Sequence, residues 1–196
     1  MKKLALFDFD GTLTSKDTLF DIARFSNSPL IYWSKIALLL PSFVLMKIGI
    51  LPKQKGKEVF IGLFFSNKTE QEFNDICAKF CFERLPQIIR PKGHKEIEIL
   101  KSQGADLFIV SASPKNWILP WALPMGIQVL STELAVKNGR ITGKIVGENC
   151  NGVEKVNRIK QAIPLENYNE IYVYGDTKGD FPMLDLATKK HYKPFT

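Results

Sequence analysis

Histidine and cysteine are scarce in this chain, and their placement excludes several kinds of site. His94 and His191 stand far apart, and neither is assigned a catalytic role. Cys77, Cys81 and Cys150 are an odd number at low density, which excludes a disulfide scaffold and suits a reducing cytoplasm. Cys77 and Cys81 fall one helical turn apart, but with no further Cys or His nearby they read as buried structural residues rather than metal ligands. No internal repeat, low-complexity tract or signal peptide is expected; the apolar run after Lys2 and Lys3 is short and meets aspartates at once. The most apolar part, LIYWSKIALLLPSFVLMKIGIL, lacks the uncharged run of about 20 residues that a spanning helix needs. Lys35 and Lys47 intrude and Pro41 interrupts, so the expectation is two short helices and no transmembrane segment.

What is present is enough for one buried core and a smaller appendage: 196 residues, 45% hydrophobic, with three tryptophans. The net charge of +7, carried largely by lysine, favours anionic partners without choosing among a phosphorylated small molecule, an acidic membrane surface and nucleic acid. Nucleic acid is not expected, because no nucleic-acid motif and no basic stripe interleaved with aromatics occurs.

Lys2 to Thr14, KKLALFDFDGTLT, organises the rest. Leu4 to Phe7 form an apolar run of strand length ended by Gly11 and Thr12, so Asp8 and Asp10 fall where a buried strand meets its loop. Open α/β sheets put ligands at that position. Two carboxylates brought together there repel unless a cation lies between them or one holds a proton. The chemistry suggested is an oxygen-ligated cation such as Mg²⁺, one carboxylate free to attack, and another to move a proton. DxDG alone is equally explained as an acidic turn.

Beyond Leu13 the signals are helical to about Arg90. Asp17 caps a helix over TLFDIARF, and Thr69 with Glu72 forms a capping box for a helix to Phe82. Arg90-Pro91-Lys92-Gly93 then returns the chain to a main domain. A helix over HKEIEILKSQG closes at Gly104, and the strand ADLFIVSAS follows it. A helical segment over Trp117 to Met125 and a strand near Ile127 to Leu130 come next. Asn138-Gly139 marks a hairpin, Val153 to Ala162 a helix, and IYVYGDTKGD another strand running into aspartates. This alternation predicts an α/β fold with a doubly wound, Rossmann-like parallel sheet over residues 1–13 and 91–196, and a small all-helical cap over 14–90.

Three strands therefore end in polar residues: Asp8 and Asp10, Ser111 and Ser113, Asp176 and Asp180. Parallel strands bring such ends to one sheet edge, which turn chemistry does not explain.

On these residues the chain resembles the haloacid dehalogenase superfamily, in the branch that contains phosphoserine phosphatase. DFDGTLT, FIVSASP, TELAVKNGRITGKIVGENCNGVEK, YGDTKGDFPML and HYKPF carry the resemblance along essentially the whole chain. It implies an aspartyl phosphate on Asp8, with Asp10 protonating the leaving alcohol and then activating water. It implies phosphate contacts from Ser111, Ala112, Gly11, Thr12 and Lys155, and Mg²⁺ held by Asp8, Asp176, Asp180 and the main-chain carbonyl of Asp10. Lys144 and Lys160 rival Lys155. Where some relatives place the lysine directly before the glycine, this chain has Asn151, so Lys155 must reach in from a turn further on. Members that break carbon–halogen bonds lack a second aspartate at the Asp10 position, so the resemblance favours phosphoryl chemistry, with mutase or phosphotransferase activity open on the same phospho-aspartate.

The substrate stays open. Phosphoserine phosphatases carry glutamate where this chain has Asp17, whose N-capping is a sufficient structural reason for it. Arg24 and Arg84 are the cap arginines available for a substrate carboxylate, with nothing to single them out. The apolar cap, with Trp33, Phe43 and Met46, suits a lipidic phosphomonoester such as phosphatidylglycerophosphate. Together with Lys47, Lys53, Lys55 and Lys57 it also has the composition of an anionic-membrane contact at the inner face of the membrane. A membrane-surface binding protein with a vestigial site is the non-enzymatic rival.

Overall fold

The computed structural model describes residues 2–196. In chain order the elements are β1 (Lys3–Phe7), α1 (Thr18–Phe25), α2 (Pro29–Lys47), α3 (Lys53–Phe65), α4 (Glu70–Glu83), α5 (Pro91–Ser102), β2 (Asp106–Pro114), α6 (Leu119–Ala122), β3 (Gln128–Thr132), β4 (Leu134–Lys137), β5 (Arg140–Ile145), α7 (Val153–Ala162), β6 (Glu170–Gly175), α8 (Phe181–Leu184) and β7 (Lys189–Tyr192). Five strands form a parallel sheet in the order β3–β2–β1–β6–β7.

The central position of β1 accounts for its unbroken apolar sequence. Ala5 and Phe7 face one core with Ile97 and Leu100 of α5, while Leu4 and Leu6 face another with Ile159 of α7 and Met183 of α8. Helices thus cover both faces, the doubly wound arrangement expected of such strands. Phe7 pairs with Ile109 on one side and Tyr174 on the other, so β1, β2 and β6 present their carboxyl ends at one edge.

Helices α1 to α4 follow β1 and join the larger core through Ile22, Phe60, Phe65, Phe73 and Phe80. The hairpin β4–β5 leaves the parallel sheet and lies on α3, where Gly143 (φ +78°) and Gly62 meet so closely that a Cβ on Gly143 would stand 2.4 Å from Gly62 Cα. Asn138 (φ +51°) and Gly139 (φ +70°) make its tight turn, as their sequence predicts.

Three expectations need correction. The apolar stretch is one helix, α2, of 19 residues rather than two, and by length and composition it is long enough to cross a membrane. Pro41 lacks the N–H for one helix bond and its ring crowds the carbonyl of Ala37, but an inward row on both sides of it, Tyr32, Ile36, Leu39, Phe43 and Met46, carries the helix through. Helix α5 starts at Pro91, in the first-turn position that proline favours, rather than after Gly93. Strand β7 has no counterpart in the sequence reading.

Candidate active site

The last ladder bond of β1 runs from Asp8 N to Tyr174 O, at 2.9 Å. Beyond it the chain coils tightly, with Gly11 at φ +83° and Thr14 N bonded to Phe9 O. A Cβ on Gly11 would lie 2.4 Å from Asp176 Oδ2, so only glycine lets this loop rest against that carboxylate. The Thr12 hydroxyl lies 3.1 Å from both Asp8 Oδ2 and Asp176 Oδ1 and donates to one at a time.

Asp8, Asp176 and Asp180 each place a carboxylate oxygen within 4.8 Å of the others. Lys155, buried on the first turn of α7, donates to Asp8 Oδ1 at 2.5 Å and Asp180 Oδ1 at 2.7 Å. Burial alone would lower its pKa, but the two carboxylates outweigh that and raise it. Burial pushes the Asp8 carboxyl up to about 7, with Asp180 and Asp10 adding to the rise and Lys155 opposing it. Burial likewise raises Asp176, whereas at Asp180 the pull of Lys155 and the Thr177 bonds overcomes burial and lowers it. Three carboxylates facing one ammonium leave excess negative charge, and among the described residues Asp176 pairs with no cation. An all-oxygen donor set with unbalanced charge fits a hard divalent cation.

Asp10 is held apart from this cluster. Thr18 N and Thr18 Oγ1 donate to its Oδ1 at 2.7 and 2.6 Å, and Ser113 Oγ donates to its Oδ2 at 2.5 Å. Trp117 Nε1 in turn donates to Thr18 Oγ1 at 3.0 Å, fixing that hydroxyl from the core side. An aspartate at the end of β1 is thereby oriented by the start of α1 and the end of β2.

Asp8 and Asp10 both line a cavity of about 350 Å³ beneath α1, α2 and α3. Ser111, Ala112, Lys155 and Asp180 also line it, and Gly11, Thr12 and Asp176 do not. Ser111 Oγ is buried and accepts from Ser113 N. Of the rival lysines, Lys144 lies 3.5 Å from Glu58 and Lys160 is exposed on α7.

Asp17 does two things: it caps α1 by accepting from Leu19 N at 2.9 Å, and it lines the cavity. Its side chain stays open to solvent on the cavity, where desolvation by the crowded walls and the charge of Asp10 push its carboxyl up to about 6. Neither candidate arginine reaches the site. Arg84 makes a two-point pair with Asp21 at 2.7 and 3.1 Å, and Arg24 is exposed.

The cation that does reach it went unrecognised in the sequence. Lys57 Nζ on α3 donates to Ala112 O and to Asn149 Oδ1 and lines the cavity with Lys53. Burial draws its pKa down to about 8, against the opposing pull of Asp10 and Asp17. Phe20, Phe43, Met46 and Phe60 form the apolar wall above. The cysteines stand outside this chemistry: all three are buried free thiols, and burial pushes Cys81 up to about 12 and Cys150 up to about 11.

Residues 5–185 match the family model of the haloacid dehalogenase-like hydrolases. Protein CicA of Caulobacter vibrioides is 31% identical over 194 residues, covering 98% of this chain and 86% of that protein. A histidinol-phosphatase of Neisseria meningitidis serogroup C is 23% identical over 209 residues, covering 96% and 89%. Among solved structures, a protein of unknown function from Bordetella pertussis Tohama I superposes with a TM-score of 0.83 at 24% identity, covering 97% of this chain and 89% of that one. A substrate-bound phosphoserine phosphatase superposes with a TM-score of 0.70 at 21% identity, covering 98% and 86%.

Proposed function

The chain belongs to the haloacid dehalogenase-like hydrolases, in the branch resembling phosphoserine phosphatase, and we propose that it is a Mg²⁺-dependent phosphatase hydrolysing a phosphomonoester through Asp8. The observation that carries this reading is the joint placement of Asp8, Asp10 and Lys155 on one cavity, with Lys155 bonded to Asp8.

In the first step an Asp8 oxygen attacks phosphorus, the ester P–O bond breaks, and the alcohol departs with a proton from Asp10. In the second, Asp10 takes a proton from water, whose oxygen attacks phosphorus and breaks its bond to Asp8. Phosphate leaves and the Asp8 carboxylate is restored. Ser113 and Thr18 keep Asp10 aimed for both transfers. Lys155 offsets negative charge on Asp8 and the phosphoryl group, and Ser111 at the end of β2 bonds a phosphoryl oxygen. Asp8, Asp176, Asp180 and the main-chain carbonyl of Asp10 would hold Mg²⁺, which when bound would supply the remaining positive charge that lets a phosphate dianion approach a carboxylate.

Residues 14–90 act in this reading as the cap that shields the site and selects the substrate. Lys57 and Lys53 favour a substrate with further negative charge, and the wall of Phe20, Phe43, Met46 and Phe60 favours a lipidic one over phosphoserine. A reducing cytoplasm suits the three free thiols.

The test is phosphate release with and without Mg²⁺ from p-nitrophenyl phosphate, phosphoserine, sugar phosphates, nucleotides and phosphatidylglycerophosphate. Asp8→Asn is expected to remain folded and release none; a fully active Asp8→Asn protein ends the proposal. The preferred panel member decides between a small polar substrate and a lipid one.

A further inference from the structure

Helix α2 is apolar on every side, yet the protein covers only one of them. Tyr32, Ile36, Leu39, Phe43 and Met46 turn inward, two of them onto the active-site cavity. The opposite side carries Leu30, Trp33, Leu38, Leu40, Val44 and Leu45, continued past the helix by Ile48 and Ile50. Leu30 is 82% exposed, Leu38 70%, Ile50 68% and Trp33 59%. A helix that is hydrophobic all round is ordinarily buried in a large core or in a membrane. A contiguous apolar surface of this kind marks a site that something covers.

Charge selects the occupant. Between Asp21 and Glu58 there is no acidic residue, while Arg24, Lys35, Lys47, Lys53 and Lys55 fall in that segment; Lys57, the remaining cation there, turns into the cavity. Lys47 and Lys53 bracket the turn that carries Ile48 and Ile50. Two copies of the chain paired through this face would set cations against cations. An anionic lipid surface complements both features, taking the apolar side chains below the headgroups and the lysines among them.

We propose that the outer face of α2, with the turn to α3, docks this protein in the plane of an anionic bilayer. A spanning orientation would strip Tyr32, Leu39, Phe43 and Met46 from the chain they pack on, whereas docking in the plane leaves those contacts intact. Phe43 and Met46 line the cavity from the inner side of the same helix, so α2 carries both the docking face and part of the active-site wall. The docking itself requires no turnover, so it stands or falls independently of the phosphatase reading.

The experiment is co-sedimentation of the purified full chain with vesicles of equal parts phosphatidylglycerol and phosphatidylcholine, and with phosphatidylcholine alone. Binding to the anionic vesicles is expected to be at least about tenfold tighter and to weaken as salt is raised. Leu38→Asp with Val44→Asp should cut it at least about tenfold, and Lys47→Glu several-fold on anionic vesicles only. Circular dichroism checks that each variant is folded. Wild-type protein that stays in the supernatant with both vesicles overturns the proposal, as does a folded Leu38→Asp/Val44→Asp protein that binds undiminished. So do two further results: a dimer that Leu38→Asp dissociates in a protein without vesicle binding, and retention through both high salt and alkaline carbonate, which would mean a spanning helix.

Discussion

Lys155 Nζ lies 2.5 Å from Asp8 Oδ1, and both side chains are buried, although they are 147 residues apart in the chain. Removing one partner of such a pair leaves uncompensated charge in the interior, which costs about 3–5 kcal/mol. Lys155→Met should therefore lower stability to urea by an amount of that order and reduce kcat/KM by about 10²–10³-fold, the usual loss when a preorganised charge stabiliser is removed. Adding Asp8→Asn should recover part of the stability and none of the activity. A Lys155→Met enzyme of near-normal activity would pass the role to another cation, against the geometry of Lys144 and Lys160.

Asp10 depends on Ser113 and Thr18 for its orientation, and the dependence is measurable. Ser113→Ala frees one carboxylate oxygen of Asp10 without touching Asp8, Lys155 or the acidic cluster. A fall in kcat of about 10–100-fold with little change in KM is expected, consistent with impaired general acid–base transfer. The pH–rate profile should move with it, and Ser113→Thr, which keeps the hydroxyl, should restore most of the rate. A change confined to KM would show that Ser113 meets the substrate rather than Asp10.

The charge on Lys57 should be visible in substrate binding. Because burial draws its pKa down to about 8, the side chain is cationic below that pH and neutral above it. An anionic substrate group bound by Lys57 favours the cation, so KM should rise as pH passes upward through about 8 while the phosphate itself stays dianionic. Lys57→Met should raise KM and flatten that limb. Lys57→Arg, charged throughout the range, should keep KM low above pH 8. A pH-independent KM in the unmodified enzyme would remove Lys57 from substrate recognition.

How much of this could be read beforehand follows from how local each signal is. The cap of α1 at Asp17, the capping box of Thr69 and Glu72 and the Asn138-Gly139 turn are set by neighbours in sequence, and each forms where its residues predict. The convergence of Asp8, Asp176 and Asp180 was legible at one remove, because parallel strands deliver their ends to one edge whatever the distance along the chain, whereas Lys155, on the first turn of α7, was reached only through the family resemblance. Lys57 was not. Beside Lys53 and Lys55 it reads as one more solvated lysine, and its burial arises only from the way α3 crosses the cavity. Pro41 misled for the opposite reason: a local breaking signal lost to an inward apolar row that packing holds in register on both sides of it. The roles of Thr18 and Trp117 in holding Asp10 are likewise tertiary, since nothing near either residue in sequence points to that carboxylate.

Metal binding can be followed without turnover, through the acidic cluster itself. Asp8, Asp176 and Asp180 crowd three carboxylates against Lys155, so a bound divalent cation relieves repulsion that the metal-free fold must carry. At about a hundred times its Kd, Mg²⁺ should add about 2.7 kcal/mol to stability. For a chain of this size that is a rise in Tm of about 5–10 °C. Asp176→Asn isolates the effect, because Asp176 pairs with no cation among the described residues and its loss leaves Lys155 bonded to both partners. Two opposite changes are therefore expected from one substitution: a higher Tm than the unmodified protein without metal, since one repelling charge is gone, and a much smaller rise when Mg²⁺ is added. Chelation should return the unmodified protein to its lower Tm. If Mg²⁺ leaves the melting curve unmoved, or if Asp176→Asn responds to it in full, the three carboxylates do not hold the metal.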